Sequence, residues 1–298
     1  MKRTHLTHTL TALVLAGLLA APAVQADDHA EEKKGYTIGL SMYSLRQLFR
    51  SGELTALDYP EFSKKTFGIT EIDVWEGLFP EDRKTDPEFF RELKKRSDAA
   101  GTNIFLVMVG AVDATGKTTE ERKKGGDAFK PNVDCAEILG ARFVRVFLKA
   151  PDIERTEAID HCIEALTPIS DYAKEKGVTI VIEPGSSKWA RKGPFLADLA
   201  KKMDHPNCRL MPDFGKMRYD DPYGGTVAMM PYSDSVSAKS YDFDEEGYEK
   251  HLDYKRLMKS VNEADYTGIV AIEYEGENLG PVEGVKATQK LLERLQPE

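Results

Sequence analysis

The stretch GVTIVIEPG, residues 177–185, joins two features that rarely occur together. Val178, Thr179, Ile180, Val181 and Ile182 are all β-branched, as in a strand buried on both faces. They run straight into a carboxylate, Glu183, and then into the break Pro184-Gly185. A buried carboxylate is costly unless it is paired or bound to a cation. A strand with this ending is expected to deliver its acid to a site.

The same pattern recurs along the chain. Strand-like runs cover 36–43, 70–75, 103–110, 141–148, 178–183, 208–213, 234–239 and 268–274. Amphipathic stretches alternate with them. DPEFFRELKKRSDAAG (86–101) opens on an Asp cap with Pro at its first turn and closes on Gly101. Others end at Gly140, Gly177 and Gly268, and VEGVKATQKLLERL (282–295) lies near the C-terminus. The links after strands five, six and seven read less clearly as helices, and DDPYGGTVAMMPYSD (220–234) reads as loop. Eight strand–helix units point to an α/β fold, a (β/α)8 TIM barrel formed by residues 36–298 as a single domain. The alternative is a doubly wound open sheet. That fold would place a glycine-rich phosphate loop after strand one, where SMYSLRQLF (41–49) stands.

The first residues read differently. Lys2 and Arg3, a short apolar run and Val24-Gln25-Ala26 form the pattern of a secretory signal cleaved after Ala26, followed by a solvated tail, 27–35. The expected location is outside the cytoplasm, most simply the periplasm. The formal net charge of −9 argues against a nucleic-acid partner. Cys135, Cys162 and Cys208 are widely spaced in apolar contexts, as expected of buried free thiols, with one disulfide the alternative in an oxidising compartment.

In a barrel of this kind, chemistry sits at the C-terminal ends of the strands. Glu183 ends strand five, Asp213 ends strand six and Glu273 lies on strand eight. Three convergent carboxylates repel one another unless protonated, matched by Lys or Arg, or neutralised by a divalent cation. Oxygen-only donors favour Mg or Mn over Zn. Each acid alone could equally be a helix cap or a rim ion pair. Lys239 ends strand seven, with Tyr241 just beyond. It is a candidate to hold a substrate oxygen or to act as counter-ion to the acids. Arg145 and Lys149 on strand four are further cationic candidates.

VSAKSYDFDEEG, DYKRLMKSV, GIVAIEYEGENL and EGVKATQKLLER resemble the xylose-isomerase-like TIM-barrel superfamily, also described as sugar phosphate isomerase/epimerase-like. They look like an exported bacterial subgroup of it. The resemblance implies a divalent metal held from strands five, six, seven and eight, usually by Glu, Asp, His and Glu. Carried over by position, these are Glu183, Asp213 and Glu273, with Ser237 where the His would stand. Two further departures are Pro184 after the strand-five Glu and Lys216 after Asp213-Phe214-Gly215. The metal could therefore bind weakly or be replaced electrostatically by Lys216. The implied activity is metal-assisted proton abstraction beside a carbonyl of a sugar or keto-sugar, with Glu183, Glu273 and Lys239 catalytic and Arg145, Lys149, Lys216 and Tyr241 on the substrate. A 3-keto-glycoside lyase is a close variant. The rival is a sugar-binding barrel without catalysis.

Overall fold

The computed structural model describes residues 35–297 apart from Thr85 and Tyr219. The expected signal segment and residues 27–34 of the tail lie outside the described residues. Eight strands form one parallel sheet: β1 (Thr37–Leu40), β2 (Glu71–Trp75), β3 (Asn103–Asp113), β4 (Phe143–Lys149), β5 (Thr179–Ile182), β6 (Cys208–Leu210), β7 (Ser235–Ser240) and β8 (Ile269–Tyr274). The order is β6-β5-β4-β3-β2-β1-β8-β7. Parallel bridges Leu210↔Ser233 and Asp213↔Ser237 close the seam between the β6 and β7 segments. The fold is the expected TIM barrel.

Ten α-helices lie among the described residues: α1 (Arg46–Ser51), α2 (Tyr59–Phe67), α3 (Pro87–Ala100), α4 (Thr119–Asp127), α5 (Lys130–Leu139), α6 (Arg155–Glu175), α7 (Gly193–Met203), α8 (Pro222–Met229), α9 (Tyr254–Asn262) and α10 (Pro281–Arg294). One of them corrects the sequence reading. The stretch 220–234 contains α8, whose first turn is capped by Asp221 accepting from the N–H groups of Tyr223 and Gly224. Its glycines hide it from propensity, yet one of them has a packing reason. A Cβ at Gly225 would lie 2.6 Å from Met217 Sδ. Helix α4 is opened by a Thr118/Glu121 capping box.

Alternation along the strands builds the barrel in layers. Phe143, Val181, Met211 and Ala271 belong to an apolar cluster with Phe105, Met108 and Ile269. Two residues further along each segment stand Arg145, Glu183, Asp213 and Glu273, all buried. The period-2 pattern therefore places one charged layer directly on an apolar one. A separate, larger cluster packs the strands against the helices, and it includes the buried Cys162 and Cys208. All three cysteines are buried and free.

Candidate active site

The strand register brings the charged groups together. β7 and β8 pair so that Lys239 lies beside Glu273 and Ser237 beside Ala271. The Lys239 ammonium sits 2.9 Å from Glu273 Oε1, 2.7 Å from Glu275 Oε1 and 3.3 Å from Asp213 Oδ2. Ser237 Oγ donates to Glu273 Oε2 at 2.7 Å. The residue at the expected histidine position thus orients one of the carboxylates. Across the mouth, Arg145 Nε lies 2.9 Å from Glu183 Oε2, while its Nη1 donates to the Val109 carbonyl at 2.7 Å.

Asp213 follows its strand and folds the next turn around itself. Its Oδ1 accepts from the backbone N–H of Gly215 at 2.8 Å and of Lys216 at 2.7 Å. Gly215 is required there, because a Cβ would lie 2.5 Å from both Lys239 Cδ and Tyr241 Oη. Among the described residues Asp213 Oδ2 is buried without a hydrogen-bond partner, its only charged contact being the longer approach of Lys239.

Candidate metal-ligating oxygens of Glu183, Asp213 and Glu273 all lie within 4.8 Å of one another. Their proton affinities differ. Burial pushes Glu183 up to about 8, Arg145 opposing and Asp213 and Glu273 adding repulsion. Burial would raise Glu273 as well, but Lys239, with the hydrogen bonds from Ser237 and Lys239, holds it down at about 2. Burial acts to lower Lys239, yet Asp213, Glu273, Glu275 and Glu183 hold it well above the ordinary lysine range.

Two acids that the sequence reading missed complete the layer. Glu275 is the third carboxylate on Lys239. Asp73, inside β2, is fully buried and accepts from the Met42 N–H at 2.8 Å, with Oδ2 unpartnered. Burial raises its carboxyl to about 8, and the nearby Glu273 adds to the shift. The signals in the sequence are slight: an acid in mid-strand in EIDVW, and a second acid two residues after Glu273.

The remaining expected residues divide. Lys216 lies over the Phe147 ring, 5.1 Å from its centroid, with Arg145 over the same ring at 4.2 Å. Tyr241 carries Arg218 over its ring at 4.6 Å. Lys149 is exposed and 2.9 Å from Asp113. His251 is exposed, beside Asp242, and takes no part in the three-acid cluster.

Two cavities open on this layer. A smaller one of about 170 Å³ is lined by Glu183, Glu273, Arg145, Met108 and the edge-to-face pair Tyr43–Trp75. A larger one of about 550 Å³ is lined by Lys239, Tyr241, Gly215, Arg191, Arg218 and Ser186. Phe147, Lys216 and Glu275 line both.

The layer fits a divalent cation. Among the described residues Glu183, Asp213, Glu273 and Glu275 face only Arg145 and Lys239 as ion-pair partners, and Asp213 keeps an unpartnered oxygen. The acids could hold such an ion, and their oxygen donors suit a hard one.

A family profile described as the xylose isomerase-like TIM barrel matches residues 64–296. No curated protein matches the chain. Among solved structures, 3-keto-D-glucoside 4-epimerase from E. coli is 13% identical, with a TM-score of 0.66 over 87% of this chain and 99% of that one. D-allulose 3-epimerase from Methylomonas sp. is 15% identical, with a TM-score of 0.69 over 88% and 98%. A zinc-bound IolI protein is 13% identical, with a TM-score of 0.67 over 87% and 97%. At these identities the likeness is one of fold.

Proposed function

Because the chain belongs to the xylose isomerase-like TIM barrel family, we propose that it is a sugar isomerase- or epimerase-type enzyme, moving a proton at a carbon beside a carbonyl of a sugar or keto-sugar. The observation that carries this reading is the unequal pair Glu183 and Glu273, two buried carboxyls with opposite proton affinities facing one mouth. Paired titratable groups pushed apart by their surroundings are the signature of divided acid–base roles.

Glu183, whose proton affinity lies close to neutral pH, takes the proton in its ionised form, which the neighbouring Arg145 favours. Glu273 stays ionised beside Lys239. The Lys239 ammonium faces charge developing on the substrate oxygen, in a site where preorganised charge is strongest. Arg145, Lys216 and Tyr241 position the sugar, with Lys149 farther out on the larger cavity wall. A divalent cation held by Glu183, Asp213 and Glu273, Mg or Mn in preference to Zn, would polarise the carbonyl. Returning the proton to the neighbouring carbon completes an isomerisation, and returning it to the opposite face an epimerisation. In a 3-keto-glycoside the same abstraction at C2 can instead expel the aglycone from C1, leaving a double bond between those carbons. Removal of residues 1–26 on export to the periplasm belongs to the same proposal, and no helix among the described residues is long and apolar enough to cross a membrane.

The test is solvent-deuterium incorporation into a panel of ketoses and 3-keto-glycosides, with Mg or Mn added. Exchange that disappears in Glu183→Gln is the expected outcome. The ion pairs already engaging Glu183 and Glu273 favour a second reading, a sugar-binding barrel without turnover. Binding with no exchange on any member of the panel would select it.

A further inference from the structure

The two cavities differ in charge. The acids of the smaller one are largely engaged by Arg145 and Lys239, whereas the wall of the larger one is basic. On a chain of net charge −9, that wall carries Lys149, Arg191, Lys216, Arg218 and Lys239 against only Asp220 and Glu275. Several of these charges are spent. Lys239 holds Glu275, Lys149 holds Asp113, and Asp220 lies 3.9 Å from Lys192. Arg191 and Lys216 have no carboxylate partner among the described residues, and Arg218 is stacked on Tyr241.

Lys216 is also placed with unusual definition for a surface lysine. Its backbone N–H is held by Asp213 Oδ1, and its ammonium lies over Phe147, which lines both cavities. Asp213 therefore fixes the backbone that carries Lys216, whose side chain borders both cavities. Ser186 lines the same wall and adds a hydroxyl donor.

Resting on the sugar-directed reading above, we infer that the larger cavity is a subsite for an anionic substituent on the sugar, a carboxylate, sulfate or phosphate, gripped by Lys216 and Arg191 with Arg218 alongside. The guanidinium groups present paired donors to such an anion, and Lys216 presents a point charge. The sugar carbon that reacts lies toward Glu183 and Glu273, and the anion is remote from it.

Titration calorimetry at low salt would compare glucose, glucuronate, glucose 6-sulfate, glucose 6-phosphate and inorganic sulfate. The expected result is at least tenfold tighter binding of one or more of the anionic sugars than of glucose, with the gap narrowing as salt rises. The three anionic arms identify which anion the subsite takes. Lys216→Met and Arg191→Met should each cut that preference severalfold, and Lys216→Arg should restore most of it. Equal affinity for all the sugars, no binding of any anion, or a preference untouched by both Met variants would overturn the subsite. Failure of the enzymatic reading looks different: anion preference would persist without deuterium exchange. Exchange on neutral sugars with no anion preference would be the converse.

Discussion

The floor of the barrel mouth and the wall of the larger cavity use the same residue types under opposite physics. On the floor, Lys239 is 1% exposed and touches three carboxylates. On the wall, Lys216 is exposed and rests on an aromatic ring. Charges removed from water interact strongly and cannot be left alone, whereas charges at the surface are screened and individually weak. The floor should therefore control both folding and chemistry, and the wall should control affinity alone.

The sharpest way to break that contrast is Lys239→Met. It leaves Asp213, Glu273 and Glu275 without their shared cation. Removing one partner of a buried ion pair typically costs about 3–5 kcal/mol, so the variant should melt well below the parent. Turnover should fall about a hundredfold or more, the usual cost of one preorganised electrostatic group. Lys239→Arg should rescue little, since a planar fork cannot replace a compact ammonium. Combining Lys239→Met with Glu273→Gln should recover part of the stability but none of the turnover. A variant that melts lower yet turns over normally would make Lys239 a counter-ion only.

Asp73 tests the floor from its other side, on β2. Its folded carboxyl titrates near 8, against roughly 3.9 for a free aspartate. Between those values the folded state holds a proton that the unfolded state has lost. The stabilisation is complete below about pH 4 and disappears as pH rises toward 8. Asp73→Asn keeps a neutral side chain at every pH. It should be more stable than the parent at pH 9, on the order of a few kcal/mol, and should flatten the stability profile between pH 5 and 9. Parallel urea-midpoint profiles for the two proteins would remove Asp73 from the account.

Cation binding probes the same acids together. If Glu183, Asp213 and Glu273 hold Mn or Mg, the ion stabilises the fold by mass action, about 2.7 kcal/mol at a hundredfold excess over its dissociation constant. Chelator should reverse this. Asp213→Asn should weaken the response, because it neutralises the acid whose Oδ2 is left unpartnered. A melting temperature insensitive to either ion would leave Lys239 and Arg145 to neutralise these acids.

The floor was more legible than the wall because burial constrains sequence. Glu183, Asp213 and Glu273 stand out where apolar strands end abruptly on an acid, and period-2 alternation suffices to send them inward. Asp73 obeys the same rule but sits in mid-strand, where no break draws attention to it. Glu275 is legible only once Lys239 is placed beside it, and that depends on the β7–β8 register. Helix α8 was hidden because Gly224 and Gly225 lower local propensity, while the reason for Gly225 is its close packing on Met217. Arg191 and Arg218 come from two different loops, and a shared cavity wall leaves no mark in either segment alone.

The smallest effect should come from Lys149. It lines the larger cavity, as do Lys216 and Arg191, and a count of charges alone would rank the three equally. Its ammonium, however, is 2.9 Å from Asp113, and both side chains are substantially exposed, at 60% and 45%. The register pairs these residues at the ends of β3 and β4, so the contact joins two neighbouring strand ends. Exposed pairs of this kind are worth about 0–1 kcal/mol. Lys149→Ala should therefore shift stability by less than that, and should raise KM for an anionic sugar far less than Lys216→Met does. The paired substitution with Asp113→Ala separates the possibilities. If Lys149 serves mainly Asp113, removing both should cost little more than removing either. If Lys149→Ala weakens anionic-sugar binding as strongly as Lys216→Met, Asp113 does not neutralise it, and the basic wall extends along β4 to the outer end of the cavity.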